Sequence, residues 1–392
     1  MSEDTYLGDT PVDLDAFETQ CPQPLYSEFA RTMPFRSDDG IVFLTRMADV
    51  TAALKQHEIR SGGESMGSDR PLIPLNIDGP EHTKYRRLLD PLFAPKRVAT
   101  FEPVVKELAD ELIDDFIEDG QVELFAAFCD PLPSRVFLGI LGLPQSDVAF
   151  LQGFKEAAIR PRGATPEAAV AYQHDKAQQM YAYLNAELDR REAVTDPGND
   201  LLAWFLHAEV AGDRLTRENI LDIVYLLVIA GLDTVASSLS CLIAWLAQHP
   251  VEQERLVRDP SLLPRAIEEL MRFESPVPMA SRAAVADVDV NGKEVRAGDT
   301  LLVVWSAANL DSEVFDHPLE VDIDRERNPH VAFASGFHRC LGSHLARLEL
   351  RVAIGRFHER IPRYRLIEGS TPEYHNQGVR SVNPLMLDFD RA

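Results

Sequence analysis

A single segment sets the scale of any fold open to this chain. From Thr216-Arg217-Glu218 to about His249 the sequence reads as one long helix, with Ile220, Val224 and Leu227 on its core side at the i, i+4, i+7 spacing. Its longest apolar run, Ile220 to Gly231, is interrupted by Asp222 and stops well short of the roughly 20 residues that a membrane span needs. The helix therefore calls for a protein core. With 392 residues, 45% of them hydrophobic and 26% charged, the chain has the material to build one. Length alone is compatible with two or three domains or with one large one.

Charge and cysteine usage exclude several roles. Sixty-three acidic against 39 basic side chains give a formal charge of −24, which repels nucleic-acid phosphate and anionic lipid. Met1-Ser2-Glu3-Asp4 lacks the basic and apolar regions of a signal peptide. Four cysteines, Cys21, Cys129, Cys241 and Cys340, do not suggest a disulfide framework in so long a chain. Cys129 and Cys241 lie in apolar segments and read as buried free thiols. A reducing cytoplasm is the expected compartment.

The chain reads as mainly α with a smaller β part. The helical portion is expected mainly over 81–274 and 343–360, with Pro and Gly breaks near 91–95, 131–133, 142–144, 161–166 and 197–198. The β-rich portion is expected mainly over 35–60, 285–305 and 365–392. Ile41–Leu44 is the clearest early strand, and Asn291-Gly292 between Val288–Val290 and Glu294-Val295 signals a tight hairpin. Residues 306–339 show little periodicity. The small, polar stretch Ser61–Ser68 reads as a surface loop of the kind that covers cavities.

Two segments carry chemistry. Ala230-Gly231-Leu232-Asp233-Thr234 places a glycine and a polar pair inside the long helix. Gly costs about 1 kcal/mol there relative to Ala. Thr234 is placed to bond back to the carbonyl of Ala230, and Gly231 to leave room for a diatomic ligand. By itself this is either a helix kink or a proton-passing site. The second segment is Phe333-Ala334-Ser335-Gly336-Phe337-His338-Arg339-Cys340-Leu341-Gly342, a cysteine just ahead of a helix whose free N–H groups and dipole favour a thiolate. Gly336 and Gly342 permit close approach by a flat ligand. Taken alone, Cys340 reads first as a buried free thiol; zinc held with His338 and His344 is a second reading that lacks a nearby Cys pair and standard spacing.

The pattern Phe-x-x-Gly-x-His-x-Cys-x-Gly over Phe333–Gly342 resembles the haem-binding signature of the cytochrome P-450 superfamily, in its soluble bacterial form. The resemblance extends over nearly the whole chain, because further family motifs follow in order. It implies the cytochrome P-450 fold, with residues 1–392 forming a single haem-thiolate domain. It implies haem b, iron protoporphyrin IX, bound through Cys340 as axial iron ligand, with Phe333, Gly342, Ala230 and Gly231 against it. Ala230–Thr234 is similar to the family's oxygen-activating pentad, which assigns proton delivery to Asp233 and Thr234. His82, Arg86, Arg282 and His338 match the donors for two haem propionates. Glu269, Arg272 and Arg325 match a buried ion-pair scaffold that holds the cysteine loop. Two segments depart from the family pattern: Asn309-Leu310-Asp311-Ser312, and Val321-Asp322 ahead of Arg325.

The implied function is a haem-dependent monooxygenase that uses O2 and two electrons to hydroxylate or epoxidise a small hydrophobic substrate such as a fatty acid, terpenoid or steroid-like molecule. A non-catalytic haem sensor or carrier is the competing class, and the Asp233-Thr234 pair favours the enzyme. The chain has no room for a reductase after the haem fold, so electrons are expected from a separate ferredoxin or flavodoxin with its reductase. Lys84, Arg87, Lys96, Arg97, Arg339, Arg347 and Arg351 are expected to form its docking patch on an otherwise acidic, monomeric protein. The pocket is expected to draw on the 60–75 loop, Leu226 to Ala230, Val277 to Met279 and Val379 to Val382, with Arg60, Arg70 or Arg380 as possible anchors for a carboxylate.

Overall fold

A computed structural model describes the chain except for residues 1–4, 8–9, 13–19, 33–35, 38–39, 64, 195–197, 199, 211, 377 and 391–392. The leader reading of Met1–Asp4, the break at Pro197 and Glu64 of the glycine-rich loop lie outside the described residues. The long helix runs over Arg217–Gln248, 32 residues. Thr216 starts it: its Oγ1 accepts from the Asn219 amide at 3.2 Å, and the Asn219 side chain accepts from the Thr216 amide at 3.2 Å. This reciprocal cap satisfies two donors that a helix start otherwise leaves open.

By length and composition this helix could cross a membrane, which the count from Ile220 to Gly231 did not show. The reason is that Val235–Ala247 resumes the apolar character beyond Asp233-Thr234, with small residues between the large ones. In the fold, 83% of its most apolar window is buried inside protein, so it is the core helix. Helices Pro131–Leu141, Val148–Ile159, Pro166–Glu192, Leu263–Glu274 and Ser343–Arg360 all pack on it. The resulting cluster includes Leu132, Phe154, Leu184, Ile223, Leu239, Leu270 and Leu350.

A four-stranded sheet stands beside the helical core. Its order is Val42–Leu44, Thr300–Val303, Ala280–Ala284, Ile59–Ser61, with the first pair parallel and the others antiparallel. Val42, Leu44, Leu301 and Val303 bury its inner side in a second apolar cluster. The hairpin forms at Val288–Val290 and Lys293–Val295, and Asn291 (φ 54°) and Gly292 (φ 81°) supply the left-handed turn.

The mainly helical reading with small sheets holds, but several boundaries move. Helices Gln23–Thr32 and Met47–Ala53 occupy the stretch before residue 60, read as turns and strands. Short strands Gln121–Glu123, Glu209–Val210 and Asp213–Arg214 interrupt the helical portion. Gln121–Glu123 is a strand because Met386–Asp390 pairs with it from the far end of the sequence. Three residues show too little alternation to reveal this locally.

Candidate active site

The cysteine segment is an irregular loop that delivers Cys340 immediately before the helix Ser343–Arg360. The Cys340 amide donates to the Phe333 carbonyl at 2.9 Å, closing the loop on itself. Gly336 sits at φ +71°, and a Cβ there would meet the Leu54 carbonyl oxygen at 2.1 Å, so the backbone position and the packing both require glycine. Around Gly342 the space is open. Cys340 itself is exposed. Enough protein packs behind its sulfur that desolvation raises the thiol pKa, against the opposing pull of the Gly342 amide and of Arg86, Arg347 and Arg339. A bound cation would favour the thiolate form.

The core helix opens at the pentad. Ala230 is exposed and Gly231 and Thr234 are half-buried, in a helix whose flanking turns are buried. Thr234 Oγ1 donates to the Ala230 carbonyl at 2.9 Å, the bond read from the sequence. A Cβ at Gly231 would lie 2.5 Å from the Phe137 ring, so packing on that side also calls for glycine.

Asp233 is completely buried. Arg160 grips it with both terminal nitrogens, Nη1 at 3.2 Å and Nη2 at 3.1 Å, and Lys155 Nζ lies at 3.5 Å. Lys155 is bonded in turn to Asp130. An unpaired carboxylate in this apolar helix would be several kcal/mol unfavourable, and these cations answer that cost. Sequence reading missed Lys155 and Arg160, because they stand more than 70 residues upstream and no local spacing connects them to Asp233.

His82, Arg86, Arg282 and His338 converge. The His82 and His338 ring centroids are 4.2 Å apart, and the charges of Arg282 and Arg86 reach His338. Burial first, then His338 and Arg86, lowers the His82 pKa to about 4. His338 does not have its donor free: Nε2 bonds Asp78 Oδ1 at 2.8 Å, a partner the sequence reading did not name. Arg86 bonds Asp90 at 2.8 Å and the Arg339 carbonyl at 2.7 Å, and Arg282 donates to the Ser281 carbonyl at 2.6 Å. His82 Nε2 is buried with no hydrogen-bond partner among the described residues.

Glu269 and Arg272 are fully buried and joined by two bonds, at 2.7 and 2.8 Å. Arg325 adds a bond to Glu269 at 3.0 Å. Arg272 also donates to the carbonyls of Asn309, Pro318 and Glu320, tying together the irregular segment ahead of the cysteine loop. The variant Asn309–Ser312 segment is well bonded: Asn309 accepts from the Val331 amide at 2.7 Å, and Asp311 from the Met47 amide at 3.0 Å.

Other expected roles change. Arg70 is bonded to Asp222 at 2.7 and 2.9 Å, and buried Arg380 to Glu274 at 2.6 Å, so neither is free for a substrate carboxylate. Arg60 remains exposed. In the docking patch, Arg347 is committed to Glu268 and Arg351 to Glu102. Lys84, Arg87, Lys96, Arg97 and Arg339 are exposed, with no ion pair among the described residues. Val277 and Met279 are half-buried, while Leu226, Val379 and Val382 are buried. Among the described residues no group of three His, Cys, Asp or Glu side chains could hold a metal ion, and His338 turns to Asp78, which leaves the zinc reading without support.

Comparison with known proteins agrees with this geometry. The family model described as Cytochrome P450 matches residues 160–366. The chain is 35% identical to cytochrome P450 CYP107DY1 of Priestia megaterium, over 80% of this chain and 76% of that one. It is 33% identical to mycinamicin IV hydroxylase/epoxidase of Micromonospora griseorubida, over 88% of each. The structure of P450BioI in complex with an acyl carrier protein carrying hexadec-9Z-enoic acid superposes with a TM-score of 0.87 at 28% identity, covering 96% of this chain and all of that one. The chain belongs to the cytochrome P450 family. It is a cytochrome P450 monooxygenase, and the family implies a haem ligated by a cysteine thiolate.

The residues present fit such a group. An exposed cysteine residue on a tight loop, open space at Gly342, a core helix open at Ala230, and a buried His82 nitrogen with no partner among the described residues form a set that a flat, doubly carboxylated ligand would complete.

Proposed function

We propose that this chain acts as one haem domain that inserts an oxygen atom from O2 into a neutral hydrophobic molecule, with electrons supplied by a separate ferredoxin or flavodoxin. The observation that carries the reading is the placement of Thr234 and Asp233. They sit where the core helix opens, with Thr234 bonded to the Ala230 carbonyl and Asp233 held by Arg160 and Lys155. When bound, the haem supplies oxygen binding and activation. The residues of the chain do the rest. Cys340 Sγ would hold the iron as a thiolate, with Phe333 and Gly342 beside it. His82, Arg86, Arg282 and His338 would take the propionates, His338 only in exchange for its bond to Asp78. Thr234 Oγ1 would hand a proton on from the opened turn of the helix, and Asp233, ionised between Arg160 and Lys155, would relay it rather than store it. The Glu269–Arg272–Arg325 cluster keeps the cysteine loop in register.

The substrate class is read from which charges are already spoken for. Arg70 and Arg380 are neutralised by Asp222 and Glu274, which leaves only Arg60 of the three expected anchors. That favours a neutral terpenoid, steroid-like molecule or masked acyl chain over a free fatty acid. The relative that acts on mycinamicin IV and the neighbour solved with a carrier-bound acyl chain are compatible with that choice. Four free cysteines, two of them buried, support a reducing, cytoplasmic setting.

Two measurements test the reading. The reduced protein with carbon monoxide is expected to show the strongly red-shifted Soret band of thiolate ligation, and a normal Soret position would remove Cys340 as ligand. Thr234→Ala is expected to divert electrons from product to peroxide, and unchanged coupling would remove Thr234 from proton delivery. A screen pairing each long-chain acid with its alcohol or methyl ester then reads substrate class. The neutral member is expected to give the larger spin-state shift.

A further inference from the structure

The core helix carries a second buried carboxylate besides Asp233, and it too is held by a distant arginine. Asp222 receives a fork from Arg70, Nε to Oδ1 at 2.7 Å and Nη2 to Oδ2 at 2.9 Å. The Tyr181 hydroxyl, 3.3 Å from the same Oδ1, also meets Ser68 Oγ at 2.7 Å. The Arg70 guanidinium lies 5.7 Å from the centroid of the Tyr181 ring. The charge of Glu218, exposed one turn earlier on the core helix, reaches it more weakly. The two members of the pair differ in access: 35% of the Arg70 side chain is exposed and 5% of the Asp222 side chain. Asp222, Leu226 and Ala230 follow one another at steps of four along the core helix, which puts them on one slowly drifting strip. Ala230 is the exposed end of that strip, at the opened turn, and the Arg70 fork is at the other. Eight residues of helix separate the ends by about 12 Å, and an extended chain advances about 1.2 Å per bond. A molecule that reacts beside Ala230 and lies along the strip therefore reaches the guanidinium after about ten bonds.

We infer that Asp222 is a specificity-determining residue: it occupies the Arg70 fork in place of a substrate carboxylate and so excludes long-chain acids. The inference rests on the neutral-substrate reading above and names the residue that enforces it. A guanidinium binds one carboxylate edge-on through two parallel bonds, so a second carboxylate cannot share the same fork. An incoming acid must displace Asp222, which leaves a buried charge without its cation and is strongly unfavourable. An ester or an alcohol of the same length makes no such demand. Arg380 cannot play this part, because it and Glu274 are 4% and 2% exposed and no ligand reaches either. Arg70 combines the fork with an accessible side, which makes it an acid anchor held in reserve by a single neighbouring side chain.

The test uses dodecanoic acid, long enough to span that distance, and its methyl ester as a matched pair. Each is titrated into the haem-loaded full chain, and the spin-state shift gives its affinity. The quantity read is the ratio of acid to ester affinity, because a loop that merely loosens changes both members together. Asp222→Asn keeps the shape and removes the competing charge. It is expected to move the ratio toward the acid by about tenfold or more, the scale of a charge-assisted hydrogen bond. The double variant Arg70→Leu with Asp222→Leu replaces the pair by apolar groups, a change that folds generally tolerate. Its ratio is expected to equal that of the unmodified protein, because two cancelling charges have been removed. An unmoved ratio in Asp222→Asn would overturn the inference. So would a double variant that shifts toward the acid, which would show that Arg70 is not the anchor, or toward the ester, which would show that Arg70 already attracts acids past Asp222. The ratio in the unmodified protein tests the neutral-substrate reading separately: a preference for the acid there sinks that reading, whereas this inference is read from the change on substitution.

Discussion

At the scale of single residues, two of the three glycines in the motifs serve packing. Gly336 lies against the Leu54 backbone and Gly231 against the Phe137 ring. For Gly231 two effects oppose each other. Alanine gains about 1 kcal/mol of helix propensity, while overpacking against Phe137 costs about 1–3 kcal/mol. Packing is expected to win, so Gly231→Ala lowers stability in urea unfolding. Adding Phe137→Leu, which withdraws the ring, is expected to remove most of that penalty. If Gly231→Ala is equally destabilising with and without Phe137, the ring is not what the glycine accommodates.

At the scale of elements, the core helix is fastened to its neighbours by charge as well as by apolar contact. Asp233 joins it to Lys155 on the helix Val148–Ile159 and to Arg160, the residue just beyond that helix. Removing Arg160 leaves a buried carboxylate with only Lys155, which Asp130 also engages. Arg160→Met is therefore expected to destabilise the fold by about 3 kcal/mol. The double variant with Asp233→Asn is expected to be more stable than Arg160→Met alone, because the uncompensated charge is gone. Additive losses would show that the pair does not couple.

A second element junction sets a pH dependence. His358, on the helix Ser343–Arg360, bonds the Tyr364 hydroxyl at 3.0 Å, and burial lowers its pKa to about 4. Its unfolded value is about 6.5. Between these limits the unfolded chain takes up a proton that the folded chain refuses. The contribution is thus complete above about pH 6.5 and is lost as pH falls toward 4, by about 1.4 kcal/mol per pH unit. His358→Gln is expected to flatten the fall of Tm between pH 6.5 and 5. A slope equal to that of the unmodified protein would exclude His358 as its source.

At the scale of the whole molecule, the −24 charge makes five exposed cations conspicuous. Lys84, Arg87, Lys96, Arg97 and Arg339 stand without an ion pair among the described residues, while Arg351, Arg356 and Arg360 are spent on Glu102, Asp110 and Asp114 of the helix Glu102–Asp114. If an acidic electron donor docks here, these cations are where the repulsion of the molecule at large would be offset. Arg97→Glu or Arg339→Glu is expected to slow reduction by an acidic ferredoxin about tenfold at low salt, with the difference shrinking as salt rises. Stopped-flow reduction rates that ignore both substitutions would place the donor elsewhere.

The sequence by itself determined what is local. The span and cap of the core helix, the bond from Thr234 to Ala230, the Asn291-Gly292 hairpin and the loop ahead of Cys340 all rest on residues within a few positions of one another. Their physics, helix capping, back-bonding and left-handed turns, acts at that range. The ordered motifs added the family, and with it the cofactor. What only the tertiary structure decided is partnership between distant groups. Asp233 is met by Lys155 and Arg160, His338 by Asp78, Arg70 by Asp222 and Arg380 by Glu274. Arg347 pairs with Glu268 and lies over the Phe333 ring. A charged side chain reads the same in sequence whether it is solvated, paired or stacked. Burial makes an unpaired charge so unfavourable that the fold must supply a partner, and which one it supplies depends on elements that the sequence places far apart.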